Sequence, residues 1–418
     1  MPYNQKKTNI VQTILSENYN DFLNIYAEKY AAEYGIYRLD RINESVSKFS
    51  ECGDWNNGIA RVKCTNAGCK HELFLPFSCK QWYLCPSCHQ KRILLLSEHL
   101  SQEIILRLPH RQFVFTVPKL LRPYFKNDRK LFSGISKQIH KLISNYYREE
   151  SEKNITTGTV ISHQTYGDML RFNPHWHCII LEGGLDENNN FIPVAIKDTA
   201  NLTEAFRRAV VQLFVKNELL NKEFAQQFLN WKHSGFSVDN SVFLSANDDK
   251  GRESLCQYIT RHPVSMQKIT YEPFKRNLLY HTKYNEYFKE NIKLFSATDF
   301  IADLTIHIPP KGKHLIRYYG LYASRTKGKA KQDGRFEKYG IGLLNNSVEE
   351  NKTVDVENKV SDKASRQAWA KLIQKVYAVD PLKCPKCESS MKVIAIIQDK
   401  SEIAKIIACL EKKNRAPP

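Results

Sequence analysis

The stretch that decides the fold reads RFNPHWHCIILEGG and covers residues 171–184. His175 and His177 flank Trp176 and directly precede an apolar run at 178–181. Side chains of residues i and i+2 of a strand lie on the same face, so the two imidazoles lie together while Trp176 packs on the other face. Two neutral imidazoles form half of a metal site. Because an isolated pair of this kind is more often a solvated surface, the interpretation depends on the rest of the chain.

The neighbouring segments predict a sheet with helices around it. GTVISHQTYGDML at 158–170 precedes the histidine strand and predicts an antiparallel pair with it, and RQFVFTVP at 111–118 predicts a further strand. Apolar spacing predicts helices at about 8–48, 90–108, 203–220 and 253–260, the last of which must end before Pro263. We expect β-structure at 304–310 and 313–323, and a polar linker at 345–363.

Composition narrows the functional class. The chain of 418 residues has a formal net charge of +18, which favours a polyanionic partner, although solubility alone explains such an excess equally well. No apolar stretch is long enough to span a bilayer, and the first residues lack the apolar core of a secretion signal. We therefore expect a cytoplasmic, nucleoid-associated protein with no membrane partner and no small-molecule substrate.

Clustered cysteines predict a structural zinc site. Cys64 and Cys69 flank TNAG, Cys85 and Cys88 flank PS, and fifteen residues separate the two pairs. This spacing is typical of zinc ribbons and knuckles, and four thiolates leave no open position for water, so we assign these four to one structural Zn²⁺. The sequence leaves open whether Cys52 and Cys79 compete for a position or build a second site. The pair Cys384 and Cys387 has no assigned partners.

Tyr258 is the candidate nucleophile. It lies on the predicted short helix, with Arg261 three residues later on the same side. A tyrosine can form covalent intermediates, but its ordinary pKa of about 10 means that a metal or a cation must help to activate it. Without further support, packing explains Tyr258 better than catalysis, since most tyrosines are amphipathic packing residues.

Six blocks of the chain resemble the HUH-superfamily rolling-circle transposases of insertion sequences, in particular the "insertion sequence ninety-one" group. They occur in the family's order at 61–92, 113–132, 164–184, 251–269, 314–328 and 382–397. The first resembles the N-terminal zinc-binding domain, the third (QTYGDMLRFNPHWHCIILEGG) the metal-binding hairpin, and the fourth (GRESLCQYITRHPVSMQKI) the tyrosine helix.

The resemblance implies that His175 and His177 bind Mg²⁺ or Mn²⁺ and that Tyr258 attacks single-stranded or hairpin DNA at the element's ends. The product would be a 5′-phosphotyrosine link and a free 3′-hydroxyl, later rejoined. Two-tyrosine members carry a second tyrosine four residues on, where this chain has His262, so it resembles a single-tyrosine member.

The third metal ligand and the DNA contacts are further predictions. Gln164 lies in the matched hairpin block and is our choice of ligand, with His262 as a rival, whereas His163 should face the opposite side as a surface histidine. Binding of DNA is assigned to Arg261 and to cationic and aromatic side chains of the segment at 317–327. Core packing explains part of the aromatic set equally well. The residues assigned to DNA are Arg261, Arg317, Tyr318, Tyr319, Tyr322, Arg325 and Lys327.

The predicted fold class is α+β, with an HUH endonuclease-like antiparallel central sheet, flanking helices and a small N-terminal zinc-binding domain. The expected segments are a helical region at 1–48, the zinc-binding domain at 49–108, the catalytic domain at 109–334, a linker at 335–365 and a C-terminal module at 366–418. Two alternatives remain, a plasmid or phage replication initiator with the same chemistry and a non-catalytic zinc-dependent DNA-binding protein.

Overall fold

A computed structural model describes residues 9–34, 38–286, 289–340 and 384–415. Over these ranges the chain forms two compact units, each assembled from separate parts of the sequence. Unit 1 takes its residues from 1–95, 262–308 and 352–418, and unit 2 from 96–261 and 309–351. The mixture of helices and antiparallel sheets confirms the α+β class.

The two units contain the following helices and strands. The helices are α1 Ile10–Ile25, α2 Ala31–Tyr34, α3 Leu39–Ser50, α4 Pro86–His99, α5 Arg122–Asn127, α6 Lys130–Ser151, α7 Ala200–Lys216, α8 Lys222–Leu229, α9 Asp249–Tyr258, α10 Ala297–Thr305, α11 Ser324–Gln332 and α12 Lys400–Arg415. The strands are β1 Ile59–Cys64, β2 Glu72–Pro76, β3 His110–Thr116, β4 Gly158–Tyr166, β5 Phe172–Leu181, β6 Gly183–Leu185, β7 Phe191–Pro193, β8 Ser237–Asp239, β9 Phe243–Leu244, β10 Ile269–Glu272, β11 Asn277–Asn285, β12 Glu290–Ser296, β13 Ile316–Gly320 and β14 Met391–Ile397.

Unit 2 is built on one antiparallel sheet in the order β13-β4-β5-β3-β8, with β9 also paired to β3. The histidine strand β5 lies at its centre and is buried from residue 174 to 181. A strand covered on both faces needs a nearly continuous apolar run, which is what residues 178–181 supply. The predicted strand pair and the strand at 111–118 are confirmed.

The two faces of this sheet have different roles. One carries Phe113, Phe115 and Trp176, which pack with α5, α6 and α7 into the largest core. The opposite face carries His175 and His177, followed along β5 by apolar residues that join a second core with Leu255, Cys256 and Ile259. Helix α9 therefore packs on the histidine face, as the short helical pattern before Pro263 predicts.

Unit 1 contains two three-stranded sheets, β14-β1-β2 and β10-β11-β12. Helix α1 begins with a capping box at Asn9 and packs against α10 and α3. Strand β14, from the C-terminal segment, pairs antiparallel with β1 of the cysteine-rich segment. The segments that we separated as a zinc-binding domain and a C-terminal module therefore share one sheet.

Part of the secondary-structure prediction fails at residues 304–310. Helix α10 continues to Thr305, and a turn follows, in place of the predicted strand. The alternating letters LTIHI at 304–308 mislead because Phe300, Ile301 and Leu304 form the buried face of a helix that Ser296 caps. The predicted linker at 345–363 lies outside the described residues. No helix in the described ranges is long and apolar enough to cross a membrane.

Candidate active site and cysteine centres

The two histidines of β5 converge on one point. Their Nε2 atoms lie 3.0 Å apart, and the rings are nearly perpendicular, at 76°. Cis ligands of an octahedral ion bound at about 2.1 Å lie about 3 Å from each other. The pair therefore fits one divalent ion, and the prediction that both side chains share a face is confirmed.

The tautomer of each histidine follows from its other nitrogen. Nδ1–H of His175 donates to the carbonyl of Asn173 at 2.8 Å, which leaves a lone pair on Nε2. Nδ1 of His177 lies 3.1 Å from the Gln112 amide, whose nitrogen faces the ring. In that orientation Nδ1 accepts, and the proton on Nε2 donates to His175. A 180° rotation of the amide reverses this tautomer and directs both Nε2 lone pairs to the same point.

Burial keeps the pair neutral. It lowers the pKa of His177 to about 3, with smaller contributions from His175 and Arg261. It also lowers the pKa of His175, partly offset by the hydrogen bond to Asn173. A neutral imidazole is the form that binds a metal ion, so both side chains are ready to ligate at neutral pH.

Tyr258 ends α9 directly over this pair. Its ring lies 5.2 Å from the ring of His177 at an angle of 85°, and the side chain is 38% exposed. The guanidinium of Arg261 lies 4.3 Å from the centre of the Tyr258 ring, which confirms that the two residues share a side. A cation at this distance from an aromatic ring makes a cation–π contact. The hydroxyl-bearing ring thus lies beside two potential metal ligands and remains open to solvent.

Strand β4 holds the end of α9 through three side chains. Ser162 and Gln164 both donate to the carbonyl of Ile259, at 2.8 and 3.0 Å. The hydroxyl of Tyr166 donates to the carbonyl of Arg261. These bonds satisfy carbonyls that a helix end leaves without partners, and they fix the residues that follow Tyr258.

Gln164, its rival His262 and His163 have different surroundings. Gln164 is the cross-strand neighbour of His175, and with its nitrogen bonded to Ile259 its oxygen is the atom left to ligate. His262 stacks edge-on against His89 at 4.7 Å. His163 does face the opposite side, but the expectation of a surface position is wrong. It is buried and stacked 4.4 Å from Phe132, because that side of β4 packs on α6.

The predicted DNA-contacting residues separate into two groups. Tyr322 is 1% exposed, and its hydroxyl bonds to Nε2 of His110 at 2.5 Å, so its assignment to base stacking is wrong. Tyr319 is half-buried and stacks on His140 of α6 at 5.1 Å. These two aromatic residues belong to packing. Arg325 is exposed on α11, while burial lowers the pKa of the half-buried Lys327.

The first cysteine centre comprises Cys52, Cys79, Cys85 and Cys88. Three of its sulfur pairs lie 3.6 to 3.7 Å apart, and four thiolates around a tetrahedral Zn²⁺ lie about 3.8 Å apart. The backbone N–H groups of Cys79, Gln81 and Cys88 donate to sulfurs of the centre, as second partners of bound thiolates do. Hydrogen bonds with the other three thiols lower the pKa of Cys88.

The second cysteine centre comprises Cys64, Cys69, Cys384 and Cys387. Sulfurs of Cys64 and Cys387 lie 3.5 Å apart, and those of Cys69 and Cys384 lie 3.6 Å apart. Hydrogen bonds from Ser389 lower the pKa of Cys387, whereas burial raises the pKa of Cys64. The donor set and spacing again fit a structural Zn²⁺.

The structure corrects our assignment of Cys64, Cys69, Cys85 and Cys88 to one ion. It distributes these two pairs over different centres, and each pair takes its remaining ligands from elsewhere. Both pairs form tight turns suited to zinc, but spacing along the chain does not determine which turns meet.

Sequence reasoning also missed residues of the histidine face. Gln112, Ser162 and Tyr166 were not selected, although each contacts a selected residue or its helix. A signal was present in β4, where Ser162, Gln164 and Tyr166 alternate with the other face, and in β3, where Gln112 alternates with apolar residues.

Two family models match the chain. One is described as "Transposase zinc-binding domain" and matches residues 22–117, which include the first cysteine centre. The other is described as "Putative transposase" and matches residues 158–330, which include both histidines of the pair and Tyr258.

Curated relatives agree with these matches. The chain is 25% identical over 306 residues to "Transposase for insertion sequence element IS801" of Pseudomonas savastanoi pv. phaseolicola, covering 68% of this chain and 71% of the relative. It is 20% identical over 283 residues to "Putative transposase y4qJ" of Sinorhizobium fredii, covering 62% of this chain and 69% of the relative. No solved structure matches significantly.

Proposed function

Because the chain belongs to the IS91 family of transposases with an N-terminal zinc-binding domain, and so is an enzyme that acts on DNA, we propose that it nicks and rejoins single-stranded DNA at element ends through covalent attack by Tyr258. The single observation that carries this proposal is the position of the Tyr258 ring, 5.2 Å from that of His177, whose Nε2 lies 3.0 Å from Nε2 of His175.

The reaction is a transesterification at phosphorus. The Tyr258 oxygen forms a bond to the phosphorus, the bond to the 3′ oxygen breaks, and that oxygen leaves as a hydroxyl after taking a proton. The phenolic proton passes to solvent, which reaches this exposed side chain. Attack by a 3′-hydroxyl on the 5′-phosphotyrosine reverses the exchange and joins strands, with no net change in the number of phosphodiester bonds.

The side chains around Tyr258 would hold a divalent ion and offset negative charge. His175, His177 and the oxygen of Gln164 would hold the divalent ion, and two nitrogen donors favour Mn²⁺ over Mg²⁺. When bound, the ion supplies Lewis-acid stabilisation of the charge on the phosphate oxygens. Arg261 lies against the Tyr258 ring and would offset negative charge that develops at the reacting phosphate.

Gln112 is a positioning residue in this account. Its amide oxygen, turned toward Nδ1 of His177, would accept the Nδ1 proton and so direct the Nε2 lone pair to the ion. We assign no chemistry to it beyond fixing that tautomer.

The DNA strand would be held by cationic side chains. Arg261 is next to the nucleophile, and we propose Arg317, Arg325 and Lys327 as further contacts to phosphates. Tyr319 keeps only the packing role described above, since its ring lies against His140.

The test is nicking of end-labelled single-stranded oligonucleotides from both ends of the element, in Mn²⁺, resolved on denaturing gels. Tyr258→Phe should abolish nicking while its binding of the same strands changes less than twofold. Tyr284→Phe is the matched control, an exposed tyrosine of β11 that should nick at the wild-type rate. Nicking by Tyr258→Phe would overturn the assignment. Tight binding without nicking by the wild type would favour the non-catalytic DNA-binding protein.

A further inference from the structure

The segment that ends the chain contributes half of the second cysteine centre. Cys384 and Cys387 lie more than 300 residues from Cys64 and Cys69, with separations of 323 and 315 positions between the sulfurs in contact. Both also lie outside the zinc-binding family match at residues 22–117. That match alone therefore contains two ligands of this centre and lacks the other two.

We propose that the chain binds two zinc ions and that the second, held by Cys64, Cys69, Cys384 and Cys387, fastens the C-terminal segment to the N-terminal zinc-binding domain. All four sulfurs lie within 4.8 Å of one another, which a single tetrahedral ion requires. Two come from the last residue of β1 and the turn that follows it, and two from a turn before β14, so the ion closes the pairing of these strands at one end.

Backbone contacts align the two turns. The N–H of Thr65 donates to the carbonyl of Ser390 at 2.9 Å, and Cys64 is the register partner of Met391. Within each turn a cysteine N–H is bonded locally, Cys69 to the carbonyl of Asn66 and Cys384 to that of Ser389. These bonds hold the two turns in the positions that bring the four sulfurs together.

The apolar core beside this centre is small, and the larger group of apolar residues, around Ile59 and Ile397, lies at the other end of the β1–β14 pair. The buried members of the core beside the centre are Val62, Cys64, Cys384 and Met391, so half of them are ligands. The partly buried residues around it add Cys69, Cys387 and two leucines. An apolar cluster with so few buried side chains is typical of small domains that depend on a structural metal.

Zinc content per chain tests the proposal. The full-length protein, purified without chelator, should contain two zinc ions per chain when its zinc is measured by inductively coupled plasma mass spectrometry. Cys384→Ser should contain one, and so should Cys64→Ser and the double variant of both, because all three remove the same ion. Cys85→Ser should lose the other ion, and Cys85→Ser combined with Cys384→Ser should contain none. Cys409→Ser is the control, an exposed cysteine outside both centres, and should retain two.

A second measurement separates loss of the ion from general misfolding. Cys384→His keeps a ligand that zinc accepts and should retain two ions. In Cys384→Ser, hydrogen exchange of the peptide covering β1 should accelerate at least tenfold, because Thr65 loses its partner in the C-terminal segment, while exchange in α9 of unit 2 stays unchanged. One zinc ion in the wild type, two in Cys384→Ser, or unchanged exchange in β1 would each overturn the proposal.

Discussion

Removal of the two donors on the Ile259 carbonyl should cost more than the sum of the single removals. Ser162 and Gln164 are 3% and 9% exposed, and both donate to this one oxygen. Ser162→Ala leaves the Gln164 bond, and Gln164→Ala leaves the Ser162 bond, so each single change should cost about 1 kcal/mol of local stability. The double change leaves a buried carbonyl with no side-chain donor, which adds about 1–3 kcal/mol.

Hydrogen exchange of the α9 peptide, measured with chelator present, gives the opening free energy of this helix in all four proteins. The control is Ser136→Ala, which removes a buried hydroxyl bonded at 2.8 Å to the carbonyl of Phe132 within α6. Its effect should simply add to that of Gln164→Ala. If the Ser162 and Gln164 changes are additive within about 0.5 kcal/mol, the two side chains do not share one carbonyl in solution, and the reasoning fails.

Three further predictions follow from other parts of unit 2. Burial lowers the pKa of His110 to about 3 and that of His140 to about 4. The free energy of unfolding should therefore be highest above pH 6.5 and should fall on acidification, by about 2 kcal/mol for each histidine at pH 5. Urea midpoints that do not fall between pH 7.5 and pH 5 would contradict this. Gly320→Ala should lower stability by about 2 kcal/mol or more, because φ is +59° and a Cβ would lie 1.8 Å from a carbonyl oxygen. Gly328→Ala is the control, since it has open space inside α11 and should raise stability by up to about 1 kcal/mol in the same melts. Arg261→Ala should slow single-turnover nicking about tenfold or more, and Arg261→Lys should slow it less. Both variants remove a guanidinium 4.3 Å from the centre of the Tyr258 ring, but only the alanine variant removes the charge. Equal rates in the wild type and both variants would exclude this role.

The sequence could predict the histidine face because it depends on local rules. The spacing of His175 and His177 determines a shared face in any strand, and the apolar run after them requires a central position. The helix of Tyr258 follows from its apolar spacing and from Pro263. These features need no knowledge of distant contacts, and the structure agrees with them.

The cysteine pairing could not be predicted in this way. Each C-x₂-C or C-x₄-C turn is locally competent to bind zinc, so the choice of partners depends on which strands pair. Cys64 meets Cys387 because β14 joins β1 across most of the chain, and nothing near either residue encodes that pairing. The one-ion assignment failed for this reason.

Packing explains the other failures. Tyr322 and His163 have the chemistry of surface or binding residues, but each fills a core position. Tyr322 lies where a Cβ on Gly158 would come within 2.6 Å of its ring, and His163 stacks on Phe132. Complementarity of this kind is a property of the assembled sheet and helices, not of either segment alone.

The central claim is covalent attack by Tyr258, and the most direct measurement is peptide mapping of the protein–DNA adduct. The protein is incubated with single-stranded oligonucleotides from the element's ends in Mn²⁺, digested with protease and nuclease, and analysed by mass spectrometry. We expect a nucleotide 5′-phosphate on the peptide that contains Tyr258, and we expect it to be absent with chelator and in His175→Ala. Nicked DNA without any adduct, or an adduct on a different tyrosine, would contradict it.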